Sequence, residues 1–130
     1  MKKILIIGKR GFLGNSLSKY LKKLHSISHI SFKNLNKQKH KINSFDYVIN
    51  TSINKSYIEK KYNNKFDNDV KIADLIMGNT IFIFLSTRKI YKPSANIKEN
   101  DKLDPKTNYA KNKLISEKKL FKKLKQNLII

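Results

Sequence analysis

The chain has no cysteine, only two prolines and four glycines, and nine acidic residues against 29 basic ones. Without cysteine there is no disulfide framework, no thiolate metal site and no cysteine nucleophile, and the absence suits a reducing cytoplasm, which is the expected location. Long apolar runs are missing as well. The run at 4–7 that follows Met1-Lys2-Lys3 breaks at Gly8-Lys9-Arg10, too early for the apolar core of a signal peptide. No other stretch approaches the length needed to span a bilayer, so a soluble protein is expected, with no membrane partner. With 130 residues there is room for one domain, 1–130, around one core.

The formal charge of +20 raises the question of nucleic acid. Arginine, however, is nearly absent: 27 of the basic residues are lysine, and only Arg10 and Arg88 offer the planar guanidinium that base reading and bidentate phosphate binding favour. The lysines are spread along the whole chain among 15 asparagines and 18 isoleucines, the look of a codon bias rather than of a binding face. No specific nucleic-acid partner is expected, although lysine charge alone gives salt-sensitive, non-specific affinity.

What is present is an alternation. Ile4-Leu5-Ile6-Ile7 is a short apolar run ending at glycine, as in a strand buried on both faces. Leu13, Leu17, Tyr20, Leu21 and Leu24 then follow at helical spacing. A weak strand is expected near 29–32, a third at Tyr47-Val48-Ile49-Asn50, and the clearest at 81–85. Between the last two, Val70, Ala73, Ile76 and Met77 carry a helical period that Gly78-Asn79 stops in a left-handed turn. A loop with Pro93 and Pro105 leads to a helix over 107–125, with Ala110, Leu114, Phe121 and Leu124 expected on its buried face, and 127–130 begins a fifth strand. Strands alternating with helices predict an α/β fold, a doubly wound parallel sheet with right-handed crossovers, here expected in the order 3-2-1-4-5.

Three of the four glycines stand in one turn, Gly8-Lys9-Arg10-Gly11-Phe12-Leu13-Gly14, between the first strand and the first helix. In that place Gly8 permits the tight turn, Gly11 lets backbone approach a pyrophosphate, and Gly14 lets helix and strand pack closely. The helix start adds free N–H groups and partial positive charge. The second strand lacks, near its end, the Asp or Glu that would bind a ribose 2′-hydroxyl and repel a 2′-phosphate. Ser31-Phe32-Lys33-Asn34 stands there instead, with Arg10 in the turn, so the reading leans toward NADP(H) over NAD(H).

Tyr109-Ala110-Lys111-Asn112-Lys113 places a phenol and an ammonium four residues apart on one helix face. Chance supplies such a match in so lysine-rich a chain, and Tyr57 with Lys61 is a second one. Order along the chain separates them: only Tyr109 comes after Ser86-Thr87 at the carboxyl end of the fourth strand, where open α/β sheets bind ligands.

Taken in sequence, the glycine turn, Asp46-Tyr47-Val48-Ile49-Asn50, Asn68, Ser86-Thr87-Arg88-Lys89-Ile90-Tyr91, Glu99, Pro105, and Tyr109 to Lys113 resemble the extended short-chain dehydrogenase/reductases. These are the sugar-nucleotide epimerases, dehydratases and reductases, and Ser86-Thr87 is most similar to the dTDP-4-dehydrorhamnose reductase subgroup. The resemblance implies a Rossmann domain in which Gly8, Arg10, Gly11, Phe12, Leu13, Gly14, Lys33, Asn50, Asn68 and Lys113 face the cofactor. It also implies that Tyr109 carries a proton, Lys113 lowers the tyrosine's pKa and holds the nicotinamide ribose, and Thr87 orients the reacting oxygen. Glu117 is expected to be a surface or helix-pairing residue.

Two departures stand out. The stretch 37–44 lacks the acidic residue that often meets adenine in the family, and nothing after Ile130 supplies the lobe that holds the nucleotide sugar. A truncated form, stabilised by association as a homodimer, is the expectation. Two rivals remain: a non-catalytic nucleotide-binding or regulatory module, for which Thr87, Tyr109 and Lys113 together would be superfluous, and the basic nucleic-acid binder.

Overall fold

The computed structural model describes residues 1–8, 10–124 and 127–130, with the backbone alone at 127 and 128. Five strands, β1 (Lys3–Ile7), β2 (Ser26–Ile30), β3 (Tyr47–Asn50), β4 (Ile81–Phe84) and β5 (Asn127–Ile129), form one parallel sheet. The helices are α1 (Phe12–Leu21), α2 (Leu35–Gln38), α3 (Lys55–Glu59), α4 (Asn68–Ala73) and α5 (Asn108–Lys123), joined by short 3₁₀ turns.

The doubly wound parallel sheet is as expected, but its order is β2-β1-β3-β4-β5 and not 3-2-1-4-5. Composition gives the reason. Ser26-Ile27-Ser28-His29-Ile30 is polar at alternate positions and buried only at Ile30, so it suits an edge, whereas the expected order puts it between two strands. The strand Tyr47–Asn50 is buried at Val48, Ile49 and Asn50 and takes the inner place beside β1, which also separates β1 from β4. Strand β2 runs at 26–30, three residues ahead of its predicted start, because Phe32 begins a 3₁₀ turn.

Strand residues alternate between the sheet's two faces. Leu5, Ile7, Val48, Phe82 and Phe84 meet Leu35, Ile42, Ile72, Ala73 and Leu120 on one face. Ile4, Ile6 and Ile49 meet Leu17 and Leu21 of α1 on the other. Each fully buried Ile, Leu or Phe contributes about 1.5–3 kcal/mol of burial, and these two clusters fix which strand ends share an edge.

The helices bury residues of their apolar periods wholly or in part, among them Leu17, Leu21, Val70, Ala73, Ile76, Ala110 and Leu124, but small and polar residues as well. In α1 Gly14 and Ser18 are buried beside the partly buried Leu17 and Leu21, while Leu13 and Tyr20, and Leu24 beyond the helix end, are exposed. In α5 Ala110 is buried as expected, but Phe121 is 62% exposed and the buried face continues through Asn112, Lys113, Ser116 and Leu120. The predicted end of this helix, Lys125, lies outside the described residues. Helix α4 stops at Ala73 and leaves Met77 exposed, and Gly78 takes the left-handed conformation (φ +67°) that its composition predicts. Among the described residues no helix is long and apolar enough to cross a membrane.

Candidate functional site

The sheet order reverses between β1 and β3, and the carboxyl ends of those two strands flank the point where ligands enter such sheets. The glycine turn occupies the β1 side. Gly8 N–H donates to the Ile30 carbonyl (3.0 Å) and Gly11 N–H to the Gly8 carbonyl (3.1 Å), so the turn folds back over the ends of β1 and β2. Gly8 has φ +111°, and a Cβ there would stand 2.5 Å from Thr51 Oγ1 and 2.9 Å from Ser52 N. A Cβ on Gly14 would stand 2.6 Å from the Gly8 carbonyl oxygen and 2.7 Å from Thr51 Oγ1.

Gly11 differs. Its φ of −77° suits any residue, and a Cβ would meet only the Gly8 carbonyl oxygen, at 3.6 Å, an ordinary contact. Among the described residues nothing requires glycine at position 11. Gly11 is also the N-cap of α1, with no side-chain cap and no acidic residue in the first turn, so the opening N–H groups of the helix have no side-chain acceptor. Arg10, Phe12 (88% exposed) and Leu13 (46% exposed) lie open around it. This is a cradle of the kind that holds a pyrophosphate. Lys9 lies outside the described residues. Lys33 is exposed in the 3₁₀ turn after β2.

The other side of the switch point is made of side chains. Asn50, 4% exposed, receives Ser52 N–H (2.9 Å) and Ser52 Oγ–H (2.7 Å) on its Oδ1 and donates from Nδ2 to the Ser52 carbonyl (3.1 Å) and to Asp69 Oδ1 (2.7 Å). Asn68 Nδ2 donates to Ser52 Oγ (3.1 Å). Both asparagines therefore brace the loop after β3. Thr51 Oγ1 donates to the Ile7 carbonyl (2.9 Å), which ties that loop to the end of β1.

Lys113 and Tyr109 lie on successive turns of α5. Lys113 is 6% exposed; its Nζ donates to the Leu85 carbonyl (2.8 Å) and lies 3.4 Å from Asp69 Oδ2. Tyr109 is half-buried. Its phenol is pushed above the ordinary tyrosine range, first by burial and then by the negative charge of Asp69. Burial also raises Asp69, against the opposing pull of Lys113 and of the Asn50 amide.

Thr87 ends the stretch after β4, half-buried, with Oγ1 accepting from Lys89 N–H (3.3 Å) and so capping the short turn Arg88–Ile90. It borders a cleft of about 1220 Å³ that runs past Tyr91, Ile97 and Glu99 to Glu117, Phe121 and Ile130. Glu117, expected to be a surface or helix-pairing residue, is half-buried in this cleft, takes a hydrogen bond from Ser86 Oγ (3.3 Å), and has its carboxyl raised by burial. The lining of this cleft contains neither the glycine turn nor Tyr109 and Lys113.

Sequence reasoning overlooked Asp69. The signal was available: a carboxylate next to Asn68 in a chain with only nine acidic residues. It also overlooked the pairing that disposes of the rival Tyr57 and Lys61. Tyr57 is 3% exposed, its hydroxyl 2.6 Å from Ser116 Oγ, which in turn donates to Asp67 Oδ2 (2.6 Å), whereas Lys61 is exposed. Burial pushes the Tyr57 phenol far above its ordinary value, so it serves as structure. Among the described residues no group of His, Asp and Glu is placed to hold a metal ion.

No curated protein matches the chain. Solved structures do. A dTDP-4-dehydrorhamnose reductase from Clostridium acetobutylicum superposes with a TM-score of 0.72 at 22% identity, over 98% of this chain and 51% of its own. The dTDP-4-dehydrorhamnose reductase of Bacillus anthracis, in complex with NADP, gives 0.76 at 13% identity over 98% and 52%. The Bordetella bronchiseptica enzyme WbmH, in complex with NAD+, gives 0.73 at 15% identity over 100% and 55%. The chain thus spans about half the length of these structures, and likeness at such identities establishes the fold. The sequence profile of the NAD dependent epimerase/dehydratase family matches residues 4–126, and with nearly its whole length matched the chain belongs to that family.

Proposed function

We propose that the 130 residues form the NAD(P)-binding domain of an epimerase, dehydratase or reductase that acts on a nucleotide sugar by hydride transfer. The observation that carries the reading is Gly11, a glycine that the chain's own packing does not require, at the open start of α1 beside the switch point of the sheet. The residues fit the cofactor: the α1 N–H groups and Gly11 would hold its pyrophosphate, and Arg10 and Lys33 would meet a 2′-phosphate, which favours NADP(H). A bound nicotinamide supplies the hydride-transfer chemistry. Tyr109 would exchange the proton of the sugar oxygen, Thr87 would orient that oxygen, and Lys113 would face the nicotinamide ribose. The nucleotide sugar is proposed because the similar reductases are named for such substrates.

Nicotinamide fluorescence during titration with NADPH and NADH at moderate salt tests the reading. Saturable binding with NADPH the tighter is expected; tighter NADH overturns the cofactor preference. Binding of RNA that NADPH fails to displace, with no dinucleotide binding, overturns the whole reading.

One observation favours a nucleotide-binding module without turnover: Lys113 is already engaged by Asp69 and the Leu85 carbonyl. A homodimer is also proposed, and the lysines grouped at 65, 71, 119, 122 and 123 between α4 and α5 would oppose it there at low salt. Sedimentation should then show association increasing with ionic strength.

A further inference from the structure

The Lys113 ammonium is enclosed from four sides. Asp69 of α4 stands at 3.4 Å and the Leu85 carbonyl, just beyond β4, at 2.8 Å, while the Phe84 ring centre lies 4.5 Å away and that of Tyr57, on α3, 5.9 Å away. Asp69 is held in turn. Its Oδ1 accepts from Asn50 of β3 and its Oδ2 from Lys113, two donors and no competing acceptor, an arrangement that suits the ionised carboxylate. Of the other charged groups nearby, Asp67 is committed to Ser116 and Tyr62, and Glu117, one turn beyond Lys113 on α5, is committed to Ser86. Tyr109 lies one helical turn before Lys113 on the same face of α5.

We propose that Asp69 is a positioning residue: its carboxylate pins Lys113 to the wall formed by β4 and withholds the lysine's charge from Tyr109. The inference rests on the reading of Tyr109 and Lys113 as the proton-handling pair. In the ordinary use of such a pair, an ammonium within about 4–6 Å stabilises the phenolate by 1–3 pH units. Here the same ammonium is neutralised by a buried carboxylate, with both partners under a tenth exposed, and the carboxylate's own field acts on the phenol in the opposite direction. Freeing Lys113 requires an acceptor that competes for its Nζ, such as a ribose hydroxyl, or removal of the Asp69 charge. Asp69 would then set how strongly binding at the crevice is coupled to the acidity of Tyr109.

The test uses the free protein, so it does not depend on dinucleotide binding and separates failure of this inference from failure of the proposed function. Tyr109 is titrated by the ultraviolet absorbance of phenolate over the pH range in which circular dichroism shows each variant folded, its contribution taken as the difference from the same background carrying Tyr109→Phe. Asp69→Asn keeps the shape and the bond from Asn50. It should lower the Tyr109 midpoint by about one pH unit or more. Asp69→Asn combined with Lys113→Met, which leaves no unpaired buried charge and serves also as the better-folding variant, should bring the midpoint back up by about one unit. An unchanged midpoint in Asp69→Asn overturns the proposal. Equal midpoints in the single and double variants overturn it too, because a released Lys113 would then be without influence on Tyr109.

Discussion

The two sides of the switch point solve the problem of polar groups in opposite ways. On the β1 side the glycine turn bonds through backbone, Gly8 N–H to the Ile30 carbonyl and Gly11 N–H to the Gly8 carbonyl, while α1 starts without a side-chain cap and Arg10, Phe12 and Leu13 are exposed. On the β3 and β4 side the buried polar side chains are already bonded, Asn50 to Ser52 and Asp69, Asp69 to Lys113, and Lys113 to the Leu85 carbonyl. On the first side no side-chain bond closes the start of α1. The second must exchange an existing bond for each one a ligand would make, so its affinity and its acid–base behaviour are set by competition inside the fold.

The largest effects should come from glycines the fold needs. Gly8→Ala puts a Cβ 2.5 Å from Thr51 Oγ1 at φ +111°. Overpacking and backbone strain together should cost about 4 kcal/mol, seen as a collapse of the denaturation midpoint or loss of the folded circular-dichroism signal.

Next on the scale is the saturated side. Lys113→Met leaves the Asp69 carboxylate buried without its cation, which should destabilise the fold by about 3 kcal/mol or more in chemical denaturation at neutral pH. The loss should shrink on acidification, because burial raises Asp69's pKa and protonation removes the uncompensated charge. If Lys113→Met is as stable as the parent chain, the pair is not the buried ion pair described.

Tyr57→Phe removes a hydroxyl bonded to Ser116 and should cost about 1–2 kcal/mol near neutral pH. Its sign reverses in alkali. Tyr57, Tyr62 and Tyr109 all have phenols raised by burial, so their stabilisation is complete below the unfolded value of about 10 and is lost as pH rises through the folded values. The parent chain should lose stability steeply above about pH 10, and Tyr57→Phe less steeply.

The smallest effect on stability belongs to Gly11→Ala, and it sharpens the contrast most. With φ −77° and no close neighbour, the substitution should be neutral or stabilise by about 0.4–1 kcal/mol through the unfolded state. Dinucleotide affinity should nonetheless fall by about tenfold or more, since the new methyl stands where backbone approaches the phosphates. Equal affinity in Gly11→Ala and the parent would remove the cradle from the account.

The same contrast explains what could be read from the residues alone. The turn was legible because glycine is the one residue that meets its demands: left-handed φ at Gly8, a 2.6 Å approach at Gly14, open backbone at Gly11. Tyr109, Lys113 and Thr87 were legible as types in an order, but not in orientation, which depends on which partner wins. Asp69 meets Lys113 because α4 and α5 pack side by side, a relation no local pattern carries. Strand order failed for a related reason: 3-2-1-4-5 follows from counting strands, whereas the polar alternation of β2 and the full burial of β3 select the edge and the interior. The buried face of α5 was misjudged at Phe121 because polar Asn112, Lys113 and Ser116 fill the contact through hydrogen bonds and not through apolar area.

Amide chemical shifts of the ¹⁵N-labelled chain during an NADPH titration test the central claim most directly. The account predicts saturable shifts concentrated at Gly11, Phe12, Leu13 and Gly14, with smaller ones at Thr51, Ser52 and Lys113. Shifts confined to the lysine groove between α4 and α5, or none at the glycine turn, would contradict it.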